Sequence, residues 1–297
     1  MPKDNRIDLY EQVTSQIIAA LEAGTRPWSP SWATATLPLR SNRIPYRGIN
    51  IMLLWASTQL GGYSSPYWFT FKQAKELGGC VRKGEKGSMV VYSNTIVRDG
   101  ETDGDEKVIP FLKRYVVFNL EQIDGLEDRY PAPALNVANS DERSIELDAA
   151  FERTGIALAH GGHSAFYRPS TDSITLPAFG SFRSADAYYA TLAHEMIHAT
   201  GHKTRLGRDT LANYSTSDCE RAKEELIAEI GAAYLCAALG TAAQERDDHA
   251  SYIASWLKVL RNDKRAIFKA ATAAQAASDC VLALMGNHVV ATDTEAA

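Results

Sequence analysis

His194-Glu195-Met196-Ile197-His198 reads as H-E-x-x-H. On a helix of about 3.6 residues per turn, positions four apart share a face, so both imidazoles point the same way. Two neutral imidazoles so placed can hold one Zn²⁺, and Glu195 stands where a general base for the attacking water is needed. The flanking residues predict the helix. Ser184 is placed as its N-cap, Asp186 complements the positive end of the dipole, and Gly201 marks the C-terminal end. Tyr189, Leu192, Met196 and Ile197 supply the apolar stripe between them. The bland alternative is a chance match inside a buried helix. The helical setting and an acidic partner downstream argue against it.

A catalytic zinc site needs a third protein ligand and one open position. The long form H-E-x-x-H-x-x-G-x-x-H fails here, because Thr204 occupies the third-histidine position. His202 follows Gly201 and reads more readily as a polar residue just past the helix end, or as a group that orients a ligand. The better source is the helix containing Glu224-Glu225-Leu226-Ile227-Ala228-Glu229. Glu225 and Glu229 share a face that borders the apolar stripe, where a solvated charge run is not expected. One of them would be the ligand and the other would orient a histidine. The E-x-x-x-[ED] usage of other two-histidine, one-glutamate peptidases favours Glu225 as ligand, with the reverse assignment open. The ordinary alternative is a pair of surface charges facing Lys223 or Arg221. Gly231, Ala232 and Ala233 are small enough to admit a second helix closely.

The 297 residues predict about two domains, and 45 % hydrophobic with 23 % charged content places the chain among globular proteins. No apolar run is expected to span a membrane, and the N-terminus lacks a secretory pattern. Four scattered cysteines fit reduced thiols and a cytoplasmic location. The net charge of −5 hides an asymmetry: Arg26 to Arg98 holds ten basic residues against Glu76 and Glu85. That local excess is a footprint for a polyanion.

Periodicity predicts helices over Leu9–Leu21, Ile49–Leu60 and Thr70–Leu77, then paired strands Ser88–Tyr92 and Lys113–Phe118 joined through Asp99–Lys107. Pro131-Ala132-Pro133 marks the expected domain boundary. Beyond it come a helix over Arg143–Arg153 and short strands Ile156–Leu158, Ser164–Tyr167 and Ser173–Leu176. The motif helix, the glutamate helix and C-terminal helices follow, with a poorly structured tail after Met285. A short sheet ahead of an H-E-x-x-H helix is the zincin layout.

The basic half is also aromatic. Bases stack on rings for about 1–3 kcal/mol each while Arg and Lys neutralise phosphates, so single-stranded nucleic acid is the expected ligand. Trp28, Trp32, Tyr46 and Tyr63 sit in loops and are read as exposed platforms; Trp55, with Phe69 and Phe71, is read as core. Arg40, Arg43, Arg47, Lys72, Arg82, Lys83 and Lys86 are the expected phosphate contacts. An ordinary solvated hairpin is the alternative for Arg82–Gly87.

These pieces together resemble the ArdC-type antirestriction proteins, whose N-terminal domain is shared with some plasmid primases. The matching residues are Gly24-x-x-Pro27-Trp28 with Trp32, Tyr46-Arg47-Gly48-Ile49-Asn50, Trp68 to Ala74, Leu77-Gly78-Gly79, Val81 to Gly87 and Val117-Phe118-Asn119-x-x-Gln122. His194 to His202 and Glu224 to Glu229 match in the second half. The resemblance implies an α+β fold of two domains. Residues 1–130 would be a mixed helix and small antiparallel sheet binding single-stranded DNA, and residues 131–297 a zincin-like metallopeptidase. Zn²⁺ is the expected cofactor, with another divalent transition metal such as Mn²⁺ as the alternative. Expected partners are single-stranded DNA and a host restriction-system protein, with no membrane. The implied role is protection of incoming plasmid DNA. The rival reading is a DNA-binding and partner-recognition protein whose metal site is structural.

Overall fold

The computed structural model describes residues 8–28, 36–99, 106–131, 142–242 and 249–286. Trp32 and the tail beyond Gly286 lie outside them. The first half runs α1 (Leu9–Glu22), β1 (Leu39–Arg40), α2 (Ile49–Gly61), β2 (Tyr67–Thr70), α3 (Phe71–Glu76), β3 (Cys80–Val81), β4 (Ser88–Asp99), β5 (Glu106–Asn119) and β6 (Ile123–Asp124). The second half runs α4 (Ile145–Glu152), β7 (Ala157–His160), β8 (Phe166–Arg168), β9 (Ser173–Leu176), α5 (Ala185–Thr200), α6 (Asp209–Ala212), α7 (Asp218–Leu239), α8 (His249–Asn262) and α9 (Ala266–Leu284).

The expected helices are present, and their starts have local causes. Asp8 caps α1, Thr70 and Gln73 form a reciprocal capping box on α3, and Ser184 and Ser217 accept from backbone N–H groups opening α5 and α7. Gly201 ends α5 in the right-handed region, not as a left-handed cap.

The first sheet has the order β1-β2-β5-β4, with β1 parallel to β2 and the other pairs antiparallel. Sequence periodicity misses β2, because Tyr67, Trp68 and Phe69 are all buried and no alternation survives. It also stops the central hairpin short. β4 and β5 pair as far as Asp99 with Glu106, where a loop is expected from Asp99 to Lys107. One face of this sheet packs on α2 through Trp68, Val90 and Val117. The other carries a smaller core around Phe69, Leu120, Ile123, Leu126 and Tyr130. The second-half sheet has the order β7-β9-β8, leaving β8 as an antiparallel edge.

One apolar cluster runs through both halves. Trp28 meets Trp256 edge-on at 5.6 Å, and Trp55 meets Tyr234 at 5.9 Å. Tyr234 donates to the Gly48 carbonyl at 2.7 Å, Gln275 accepts from Gly48 N–H at 2.9 Å, and Arg47 pairs with Asp279. Two expectations are corrected here. Trp28 and Tyr46 are no exposed platforms: they are 0 % and 3 % exposed, because the loops carrying them are clamped between the halves. Second, α9 has the length and hydropathy to cross a bilayer, which the sequence reading excludes. Ile267, Ala270, Ala271, Ala274, Ala277 and Val281 spend its apolar face in the core.

Candidate metal centre and nucleic-acid face

α5 and α7 cross where Gly231 leaves room. A Cβ there would lie 2.9 Å from Ile197 Cγ2, so only glycine permits this approach. Ile197 precedes His198, and the crossing delivers the α7 carboxylates to the α5 imidazoles. His194 Nε2 and His198 Nε2 lie 3.1 Å apart. Glu225 spans them, with Oε2 at 3.5 Å from His194 Nε2 and Oε1 at 3.5 Å from His198 Nε2. The three donor atoms all lie within 4.8 Å of one another, and all three residues are buried. Two imidazole nitrogens and one carboxylate are the donor set that suits a zinc-type divalent cation, so these residues fit such an ion.

Glu229 Oε1 lies 3.2 Å from His194 Nδ1, on the far side of that ring from Glu225. His198 Nδ1 has its own carboxylate, Glu224 Oε1, at 3.1 Å. The Glu224 carboxylate at His198 Nδ1 favours the tautomer whose Nε2 lone pair faces the shared point, whereas Glu229 approaches His194 Nδ1 without hydrogen-bond geometry. Sequence reasoning missed Glu224 as a participant. It is 0 % exposed, and Arg208 Nη2 donates to it at 2.6 Å and Thr210 Oγ1 at 2.5 Å. No spacing signal announces Arg208 or Thr210, since they come from the loop and short helix between α5 and α7. Burial alone would raise the Glu224 pKa, but His198 and Arg208 outweigh it and hold it at about 2. Glu225 is likewise held at about 2: burial opposes, and the charges of His198 and His194 and the Tyr214 hydroxyl prevail. Tyr214 donates to Glu225 Oε1 at 2.5 Å, and burial together with that carboxylate pushes the phenol well above its ordinary range.

The centre sits at the floor of a cleft of about 680 Å³. Glu195, 3 % exposed, lines it beside both histidines. Edge strand β8 supplies Phe166 and Tyr167 to the wall, and His202 and Tyr252 border it. Tyr167 donates to Asp172 at 2.8 Å, and Arg205 Nη1 donates to the same carboxylate at 3.0 Å. Those bonds tie the β8–β9 turn to the loop after α5 and hold Asp172 at a left-handed φ of 46°. His202 Nδ1 lies 2.8 Å from Thr204 Oγ1 and 3.7 Å from Asp172, outside the donor set.

The expected nucleic-acid residues are scattered. Arg40 lies over the buried Tyr46 ring at 5.3 Å, and exposed Arg43 donates to the Arg129 carbonyl. Tyr63 is half-buried, edge-on to Trp68 at 5.8 Å. Arg82 pairs with Glu85 at 3.0 Å and Asp124 at 3.3 Å, so its charge is already answered. Lys72, Lys83 and Lys86 are exposed; Lys72 has Glu76 at 3.6 Å.

Comparison with known proteins accounts for both halves. Residues 7–118 match the N-terminal domain of anti-restriction factor ArdC, and residues 145–273 match a zincin-like metallopeptidase family. An uncharacterised protein of Sinorhizobium fredii, y4eC, is 43 % identical over 92 % of this chain and 91 % of its own length. The DNA primase TraC of Escherichia coli is 39 % identical over 97 % of this chain, which spans 28 % of that longer protein. The likeness to a primase therefore covers both halves, not the N-terminal domain alone. The crystal structure of the antirestriction protein ArdC from plasmid R388, metal-free, superposes with TM-score 0.83 at 50 % identity, covering 94 % of this chain and 98 % of that one. Its Mn(II)-bound form gives TM-score 0.80 at 48 % identity, covering 94 % and 99 %.

Proposed function

The chain belongs to the ArdC antirestriction family, and on that premise we propose that it binds single-stranded DNA and cleaves a protein with a metal-dependent site, protecting incoming plasmid DNA in the cytoplasm. Residues 1–130 take the DNA role and residues 131–297 the peptidase role. The observation that carries the peptidase reading is the convergence of His194, His198 and Glu225 at the floor of a cleft beside Glu195. His194, His198 and Glu225 would hold the ion, with Zn²⁺ favoured by the donor set and Mn²⁺ the alternative. When bound, it supplies Lewis-acid polarisation of a carbonyl and activation of water.

The chain's own groups do the rest. Glu195 takes a proton from the attacking water and delivers it to the leaving amine. Glu224 orients the His198 imidazole, Glu229 lies beside that of His194, and Tyr214 fixes the Glu225 carboxylate. β8 is an edge strand on the cleft wall, so an extended peptide can add to it by backbone pairing. That geometry suits a polypeptide substrate, and a host restriction-system protein is the class the family role calls for.

Glu195→Ala tests the reading. Metal and single-strand binding should persist while proteolysis of a restriction-system protein falls by roughly 10²–10⁴-fold. Undiminished cleavage would remove Glu195 from the chemistry. Undiminished protection in cells carrying the variant would move the function to DNA and partner binding.

A further inference from the structure

We infer that the single-stranded nucleic acid of the reading above stacks on Phe71 and Phe118 across the outer face of the β2–β5–β4 sheet, with Lys72, Lys83 and Lys86 as its phosphate contacts. The inference rests on that reading for its ligand and on the surface for its place. Phe71 opens α3 with 60 % of its surface exposed, a large ring facing water where a core residue is expected. The Phe118 ring lies 6.5 Å from it, edge-on, packed on one side against the smaller core and partly exposed. Val116, 40 % exposed, continues the apolar strip. Gly87 makes the strip continuous: a Cβ there would lie 2.3 Å from Val116 Cγ1 and 3.1 Å from Phe118 Cζ, so the bare backbone lets both side chains lie flat over it.

Cations frame these rings. Lys72 follows Phe71 in sequence and is exposed. Lys86 immediately precedes Gly87, and Gln122 Nε2 fixes its carbonyl at 3.0 Å. Lys83 is exposed on the same turn, and neither it nor Lys86 has an ion pair with a described acid. Glu85, the one acid in that turn, is bonded to Arg82 and Gln122. Exposed ring surface, with Lys72 shared with Glu76 at 3.6 Å and with Lys83 and Lys86 on the adjoining turn, fits a single strand, whose bases are free to stack and whose phosphates need neutralising. A duplex hides its base faces from such rings.

Binding of a fluorescein-labelled oligothymidine to the full chain, read by anisotropy over a salt series, tests this. Phe71→Ala should weaken binding about tenfold. Lys83→Ala with Lys86→Ala should reduce the salt slope by about 1.4, at about 0.7 per single-strand phosphate contact. Phe71→Trp should restore affinity and add fluorescence quenching on DNA addition that the unsubstituted chain lacks. Wild-type affinity in Phe71→Ala and Phe118→Leu, with no added quenching in Phe71→Trp, would overturn the inference while leaving DNA binding elsewhere intact. Equal weakening toward duplex would overturn it too, by removing stacking. Failure of the unsubstituted chain to bind single strands at low salt would instead overturn the DNA reading beneath it.

Discussion

The two candidate sites are built in opposite ways. The metal centre is buried, and its charges are satisfied within the protein. His194, His198, Glu224, Glu225 and Glu229 all expose less than a tenth of their surface. The proposed nucleic-acid face is open, and the groups proposed for it are ones the fold leaves exposed: Phe71, Lys83 and Lys86. A buried site must be complete before its ligand arrives, because an unanswered charge there is costly. An open face can leave its charges to water until a polyanion displaces the counterions. Substitutions at the first should therefore disturb folding and metal affinity together, and at the second only affinity and its salt dependence.

The largest expected effect tests whether Trp28 belongs to the open face at all. Trp28→Ala should cost about 3–5 kcal/mol of stability by emptying the space against Trp256, read from denaturant midpoints. A stable variant with weakened DNA binding would return Trp28 to the nucleic-acid face. Next, Gly231→Val should cost about 1–3 kcal/mol by pressing on Ile197, and should also weaken metal uptake measured by calorimetry. Unaltered uptake would show that the helix approach does not set the ligand geometry. Glu224→Gln should weaken metal binding by about 10–100-fold while leaving the salt slope of DNA binding unchanged.

The same carboxylates give a pH signature in metal-free protein. Their folded pKa values are depressed, so their stabilisation is full above the ordinary carboxylate value of 4.5 and is lost as pH falls from there toward about 2. Glu224→Gln should flatten the stability profile in that window; an unchanged slope would detach Glu224 from acid unfolding. The smallest effect is expected at Arg47→Ala. Its pair with Asp279 is partly exposed, so stability should change by about 0–1 kcal/mol and the DNA salt slope not at all. A reduced slope would place Arg47 on the nucleic-acid face after all.

The contrast also explains what was legible in the sequence. His194, His198 and the Glu225–Glu229 pair stand out because helical spacing converts directly into a shared face. Arg208, Thr210 and Tyr214 reach the same centre from the connection between α5 and α7, where no period links sequence to direction. In the basic half, loop position proves a poor guide to exposure. Trp28 and Tyr46 are in loops yet buried, Trp28 against Trp256 of the other half, while Phe71 begins a helix and is exposed. Long-range packing decides those cases, and no local pattern encodes it.

The joint between the halves bears on how such a chain is inherited. Tyr234 reaches back to Gly48 from the same helix that carries Glu224, Glu225 and Glu229, and Trp28 and Trp256 close over one another. A break anywhere in 132–141 that separated the halves would turn those rings outward and leave the Gly48 carbonyl without its donor. Recombination therefore has reason to move the whole unit as one cassette, which is the form in which it recurs inside the longer primases.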